Sequence, residues 1–146
     1  MSKTLIAVAV IFVSMPAWAD APYIDPAEDE KHFGDPRMEL FWTPEQQVAG
    51  YRNMDKLSWT RAVPAGSDPY PLPTSLLDLD SLEITTDDQV MTVEDYVRQR
   101  NVAGLVVVKN GTVVYERYEL GNTAESRWLS YSVAKSVTSL LVGAAI

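Results

Sequence analysis

The chain has 146 residues, of which 47% are hydrophobic and 22% are charged, and its formal net charge at pH 7 is −8. This length allows at most one domain of ordinary size, and the low charge content excludes an intrinsically disordered protein. The acidic balance argues against a nucleic-acid partner. Because the chain contains no cysteine, it has no disulfide bonds and must be stabilised by packing alone.

The first 19 residues have the three parts of a secretory signal peptide in the expected order. Lys3 supplies the positive charge, residues 5–13 form an apolar run, and Ala17-Trp18-Ala19 fits the cleavage pattern. The apolar run is about half as long as the ~20 residues that a membrane-spanning helix needs. We therefore predict a cleaved signal peptide over residues 1–19, in preference to a buried helix or an uncleaved anchor. The mature protein is then periplasmic or secreted, with no stable membrane anchor.

Residues 20–90 are predicted to form a Pro-rich N-terminal arm, which lies over a domain in an extended form. One short helix is expected from Thr43 through Met54, with Pro44 as its first residue and Glu45 in its first turn. The sole histidine, His32, is predicted to be an exposed loop residue. The apolar side chains of the arm indicate that it packs and is not disordered: Phe41, Trp42, Tyr51, Leu57 and Trp59.

Residues 91–118 contain a predicted helix followed by a predicted β-hairpin. Thr92 and Asp95 have the spacing of a capping box, which predicts a helix over 92–101. Two β-rich runs follow, at 102–109 and 113–118, and the first is expected to be buried on both faces. Asn110-Gly111 between them favours a type I′ turn, because both residues tolerate positive φ.

Residues 132–146 have apolar side chains at helical spacing and only small, uncharged polar ones between them, apart from Lys135. A helix that is apolar nearly all round should lie inside a larger domain. Since a hairpin and three helices cannot surround it, and since Ile146 lacks a helix-ending signal, we expect the chain to be the N-terminal part of a longer protein. The chain by itself should be inactive and poorly soluble, without a cooperative thermal unfolding transition.

Ser132 and Lys135 form an S-x-x-K pair at the start of this helix. Three helical residues turn about 300°, so the two side chains lie on the same side, one turn apart. The positive end of the helix dipole and burial both disfavour the charged form of Lys135. A neutral amine beside a hydroxyl can act as a general base, and the Ser132 N–H can form half of an oxyanion hole. The alternative is that Ser132 is only an N-cap and Lys135 only snorkels to solvent.

Other catalytic patterns do not occur in this sequence. It contains no G-x-S-x-G, H-E-x-x-H or C-x-x-C motif and no Gly-rich phosphate loop. The acidic pairs are expected to be solvated or to cap helices: Asp78, Asp80, Asp87 and Asp88. We therefore predict neither a cofactor nor a metal ion.

The stretch "RWLSYSVAKSVTSLLVGAAI" resembles the nucleophile region of the serine β-lactamase-related hydrolases, and "GLVVVKNGTVVYERYELG" resembles the N-terminal strand pair of the same superfamily. Its members include class C β-lactamases, D-alanyl-D-alanine peptidases, carboxylesterases and 6-aminohexanoate-dimer hydrolases. The resemblance covers about residues 95–146. It implies an α+β fold of the β-lactamase/transpeptidase type, an antiparallel sheet flanked by helices, of which residues 91–146 are the first part.

The resemblance also implies the roles of the site residues. Ser132 would be the acylated nucleophile, Lys135 would help to deprotonate it, and Tyr131 would either line the substrate pocket or pack into the core. The tyrosine motif and the K-T-G or H-x-G strand of the superfamily would follow after Ile146. The stretch is more similar to the esterase and aminohexanoate-hydrolase branches than to true β-lactamases.

Two functions follow as expectations. The first is a serine hydrolase that acts on a small-molecule ester or amide through an acyl-enzyme. The second is a non-catalytic protein of the same fold that binds cell-wall peptides or acts as a scaffold. The sequence leaves the substrate and the oligomeric state open.

Overall fold

The computed structural model describes residues 21–64, 66–85 and 89–146, so the signal peptide predicted over residues 1–19, Asp87 and Asp88 lie outside the described residues. The chain has a small α+β architecture, with helices and two antiparallel two-stranded sheets. This confirms the α+β prediction. No helix in the described part of the chain is long and apolar enough to cross a membrane.

The arm begins with two short 3-10 helices, Pro26–His32 and Pro36–Phe41. An aspartate precedes each one and accepts a hydrogen bond from the backbone N–H two residues later, which starts the turn. His32 is the last residue of the first 3-10 helix and is partly buried, so the prediction of an exposed loop residue was wrong.

Helix α1 is Pro44–Tyr51, and it begins as the sequence predicts. Thr43 accepts a hydrogen bond from the Gln46 N–H, and the Gln46 side chain accepts one from the Thr43 N–H, which completes a capping box. The helix ends earlier than predicted because Asn53 has non-helical backbone angles, and α2, Met54–Leu57, follows it.

Trp42 is the largest buried side chain of the arm, with 5% of its surface exposed. Its ring lies against Gly34 and Gly50, where an added Cβ would approach ring atoms to 2.3 and 2.2 Å. These two positions therefore require glycine. A separate small core of the arm consists of Ile24, Val48 and Ala49.

Strands β1, Glu83–Thr85, and β2, Val90–Thr92, form the first antiparallel sheet and lead into α3, Val93–Gln99. The predicted capping box is confirmed, since Thr92 Oγ1 accepts from the Asp95 N–H at 3.0 Å and the Asp95 carboxylate accepts from the Thr92 N–H. Helix α3 contributes two valines to a second buried cluster: Val93, Val97 and Tyr115.

Strands β3, Gly104–Lys109, and β4, Thr112–Tyr118, form the predicted hairpin. Asn110 has φ 52° and Gly111 has φ 76°, as a type I′ turn requires. The side chains of β3 are only half-buried, because β4 is its one strand partner among the described residues, so the expectation of burial on both faces is met only in part. Residues 73–77 of the arm run along β4 and bond to its backbone through Val113 and Val114.

Helix α4, Val133–Ala144, confirms the predicted helix. All of its residues are exposed in the described structure, and Leu140 and Leu141 have exposures of 73% and 65%. The apolar character of α4 is therefore not matched by burial against any described part of the chain.

Candidate active site

The backbone at Ser132 places its hydroxyl at the exposed start of α4. Ser132 has φ −69° and ψ −7°, and its side chain makes no capping hydrogen bond. The hydroxyl instead contacts Lys135, whose Nζ donates to Ser132 Oγ at 2.9 Å. The structure therefore brings the S-x-x-K pair together, and the Ser132 side chain does not behave as an ordinary N-cap.

The first turn of α4 is closed by backbone groups. The N–H groups of Val133 and Ala134 donate to the carbonyls of Ser130 and Tyr131, at 3.0 and 3.2 Å. Among the described residues, none accepts a hydrogen bond from the Ser132 N–H. Donors at this position of a helix have no partner within the helix, and such N–H groups are the kind that an oxyanion hole uses.

Lys135 lies in the first turn of α4, at the positive end of the helix dipole, as the sequence predicts. Its side chain is exposed in the described structure. The burial that the sequence analysis expected around Lys135 is therefore not provided by the described residues.

Tyr131 has a strained backbone immediately before Ser132, with φ 44°. A left-handed conformation costs a bulky L-residue about 1–2 kcal/mol, and it persists only where neighbouring contacts hold it. The Tyr131 ring meets the ring of Tyr51 edge-on, with centroids 5.7 Å apart. Burial raises the pKa of the Tyr131 hydroxyl, and the neighbouring Tyr51 raises it further. The phenol thus stays protonated at neutral pH and is not a general base there.

An open cleft of about 700 Å³ lies beside the segment that leads to Ser132. Its lining includes Trp128 and Ser130 of that segment and Tyr51 and Met54 of the arm. Arg127 forms an ion pair with Asp55 at its edge. Ser130 is the lining residue that comes nearest to Ser132 in the sequence, and neither Ser132 nor Lys135 lines the cleft.

The acidic residues behave mostly as structural groups. Asp80 accepts a hydrogen bond from the Tyr115 hydroxyl at 2.6 Å and one from Arg117 at 3.1 Å. These contacts fasten the arm to β4, a role that the sequence analysis did not assign. Within the described ranges, no group of three or more His, Cys, Asp or Glu side chains could hold a metal ion.

No protein-family model matches the chain, and no curated protein matches it. The residue that sequence reasoning undervalued is Tyr51, which was expected only to pack. Its contacts with Trp128 and Tyr131 join positions about 80 residues apart, and no local sequence pattern reports such a contact.

Proposed function

We propose that this chain carries the nucleophile segment of an exported serine hydrolase, which cleaves an ester or an amide through an acyl-enzyme. The observation that carries the proposal is the 2.9 Å contact between Lys135 Nζ and Ser132 Oγ at the exposed start of α4. Two further observations support it: the Ser132 hydroxyl does not cap the helix, and the residue before it is strained. Strained backbone of this kind is concentrated at functional sites.

The proposed chemistry begins with Lys135 as a neutral amine. The Ser132 hydroxyl then donates its proton to Nζ while Oγ attacks the carbonyl carbon of the substrate. The Ser132 N–H donates to the oxygen on which negative charge develops. Collapse of this intermediate breaks the bond to the alcohol or amine, which takes the proton from Lys135. Water then attacks the acyl-serine, which releases the acid and restores Ser132.

The fold that we propose is of the β-lactamase/transpeptidase type, and the order of elements supports it. A strained turn and an apolar helix with Ser132 at its start follow the hairpin β3–β4. The likeness of residues 132–146 to the esterase and aminohexanoate-hydrolase branches favours an ester or amide substrate over a β-lactam. The motifs that complete such a site in the superfamily are proposed to lie outside this chain.

The exposed apolar side chains of α4 support a larger catalytic domain in the full-length protein. Leu140, Leu141 and Val142 are 73%, 65% and 58% exposed, and contiguous apolar surface of this kind marks a contact site. Elements that cover α4 would also remove water from around Lys135. Desolvation favours the neutral amine that the mechanism needs.

The proposal is tested by substitutions at the pair in the full-length protein, assayed on a panel of esters and amides. We expect Ser132→Ala to lower kcat at least about a thousandfold, because the acyl-enzyme cannot form. Lys135→Ala should lower kcat about 10²- to 10⁴-fold, the range for loss of a general base. Ser139→Ala, on the same helix, is the matched control and should leave kcat within about twofold.

Turnover that survives Ser132→Ala would sink the proposal. A protein with no turnover on any substrate, whose binding of cell-wall peptides is unchanged by Ser132→Ala, would establish the non-catalytic alternative.

A further inference from the structure

We infer that Tyr51 of the N-terminal arm is a positioning residue for Ser132, which it serves by holding the strained segment 128–131. The inference rests on the proposed function, since it assigns a role within that site. It also gives the arm a part in catalysis.

Tyr51 contacts the segment before Ser132 in three ways. Its carbonyl oxygen accepts a hydrogen bond from the Leu129 N–H at 3.0 Å. Its ring meets Trp128 and Tyr131 edge-on, with centroids 5.7 Å away in both cases and interplanar angles of 78° and 88°. Edge-on pairs of aromatic rings contribute about 0.5–1.5 kcal/mol each beyond their buried area. One residue therefore fixes three of the four residues that precede the nucleophile.

Tyr51 is itself held in place. Its ring stacks on Trp42, with centroids 5.6 Å apart and an interplanar angle of 27°. Trp42 is buried against Gly34 and Gly50, and its Nε1 donates to the Asp35 carbonyl at 2.8 Å. The Tyr51 side chain is therefore fixed by the arm, and its contacts can hold the segment before Ser132 in place.

The neighbours of Tyr51 hold the other parts of the same connection. Arg52 donates to the Leu120 carbonyl at 2.6 Å, just after β4, and forms a buried ion pair with Asp29. Asp55 forms an ion pair with Arg127. Residues 51–55 thus contact the start, the middle and the end of the connection between β4 and α4.

The strain at Tyr131 makes these contacts matter for catalysis. A relaxed tyrosine has negative φ, and rotation from 44° to that range would redirect the backbone that enters Ser132. The Tyr51 ring opposes that rotation because it packs against the Tyr131 ring. Misplacement of a reacting group by about 1 Å can cost about a hundredfold in rate.

The test measures inactivation of the full-length protein by a small fluorophosphonate. In this reaction Ser132 Oγ forms a bond to phosphorus, fluoride leaves, and Lys135 takes the serine proton. The rate constant at saturation is determined separately from the half-saturation concentration. The concentration of active sites is determined separately by titration. Because the rate constant describes the reaction of each active site, unfolded protein does not lower its value.

Tyr51→Ala should lower this rate constant about 10- to 100-fold and change the half-saturation concentration by less than about threefold. Tyr51→Phe keeps the ring and should stay within about twofold. Tyr70→Ala, which removes an exposed tyrosine of the same arm, is the matched control and should leave the rate unchanged. A residue that served stability alone would lower the number of titrated sites but not the rate per site.

A double-mutant comparison tests whether Tyr51 acts through the strained backbone of Tyr131. A second substitution at Tyr51 is used if Tyr51→Ala folds poorly. Glycine adopts positive φ without strain, so in a Tyr131→Gly background Tyr51→Ala should cost only about threefold or less. If Tyr51→Ala does not fold, Tyr51→Leu replaces it, with at least about a fivefold loss expected when Tyr131 is retained.

The two proposals fail differently. If Ser132→Ala is still inactivated, the proposed function is wrong. If Ser132→Ala blocks inactivation while Tyr51→Ala or its substitute reacts at the unchanged rate per site, only the role of Tyr51 is wrong. A loss of equal size with and without the Tyr131→Gly substitution would also overturn that role.

Discussion

Residues 51–55 and α4 contrast most sharply in this molecule. The polar segment contains buried residues, whereas the apolar helix is exposed, which is the opposite of what their compositions suggest. Residues 51–55 lie in a Pro-rich arm and include charged side chains, yet Arg52 and Asn53 are buried. Helix α4 is apolar nearly all round, yet every one of its residues is exposed. Burial thus depends on which partners are available, and hydropathy reports only which partners a segment needs. The polar segment has its partners here, and α4 requires others.

The largest effect is expected from breaking the buried ion pair of the arm. Arg52 donates to both carboxylate oxygens of Asp29, at 2.8 and 2.6 Å, and Asn53 donates to the same group at 2.6 Å. Asp29→Ala would leave the buried Arg52 charge without its counter-charge, so the free energy of unfolding should fall by about 3–5 kcal/mol.

Urea unfolding of the full-length protein measures this loss. Glu28→Ala is the control, because it removes an exposed ion pair with Lys31 and should cost at most about 1 kcal/mol. Equal losses for Asp29→Ala and Glu28→Ala would show that the buried pair does not stabilise the arm.

A second prediction concerns the partners that α4 requires. If further elements of the full-length protein cover α4, Leu140→Ala should lower the free energy of unfolding of that protein by about 2–5 kcal/mol. The same change should cost less than about 0.5 kcal/mol if the helix stays exposed as in the described structure. Chemical unfolding monitored by circular dichroism distinguishes the two values, and the smaller one would contradict the proposed catalytic domain.

A third prediction compares the starts of α1 and α4. Thr43 forms a capping box, so Thr43→Ala should cost about 1 kcal/mol of unfolding free energy. Ser132 makes no capping hydrogen bond, so Ser132→Ala should cost less than about 0.5 kcal/mol while it abolishes activity. Thermal unfolding of both variants checks the difference. A loss at Ser132 as large as that at Thr43 would indicate that Ser132 is a structural cap.

The smallest effect is a pH dependence at the contact between the arm and β4. The hydrogen bond from the Tyr115 hydroxyl and the nearby Arg117 guanidinium lower the pKa of Asp80 in the folded state. A carboxylate with a lowered folded-state pKa contributes stability that is fully present above its unfolded pKa of about 3.9. That contribution is lost as the pH falls through the lower, folded-state value.

Unfolding free energies measured between pH 2 and pH 7 test this dependence. Asp80→Asn cannot titrate, so its stability should fall less steeply below about pH 4 than that of the wild type. An unchanged slope in Asp80→Asn would show that the Tyr115 contact does not favour the ionised carboxylate.

The elements that the sequence predicts correctly are those with local signals. Pro44 marks the start of α1, the capping box at Thr92 starts α3, and Asn110-Gly111 supplies the positive φ of the hairpin turn. The Ser132–Lys135 contact is local too, because three residues of helix bring the side chains together. The sequence therefore indicates both the contact between Ser132 and Lys135 and the helix that carries it.

Long-range contacts account for what the sequence could not predict. Arg52 is buried because Asp29 lies 23 residues before it in the chain, and no pattern around Arg52 indicates that contact. Positive φ at Tyr131 is disfavoured by its residue type, and the ring that packs against Tyr131 there belongs to Tyr51, 80 residues earlier in the chain. The early end of α1 has the same origin, since Asn53 bonds to Asp29 and to the Ala49 carbonyl.

The most direct test of the Ser132–Lys135 site is to map the residue that a fluorophosphonate modifies. The full-length protein is labelled, digested and sequenced by mass spectrometry, in parallel with Ser132→Ala and Lys135→Ala. We predict a single adduct on Ser132, no adduct in Ser132→Ala, and labelling of Lys135→Ala slowed about a hundredfold or more. An adduct on another residue that forms equally fast in Ser132→Ala would contradict the account.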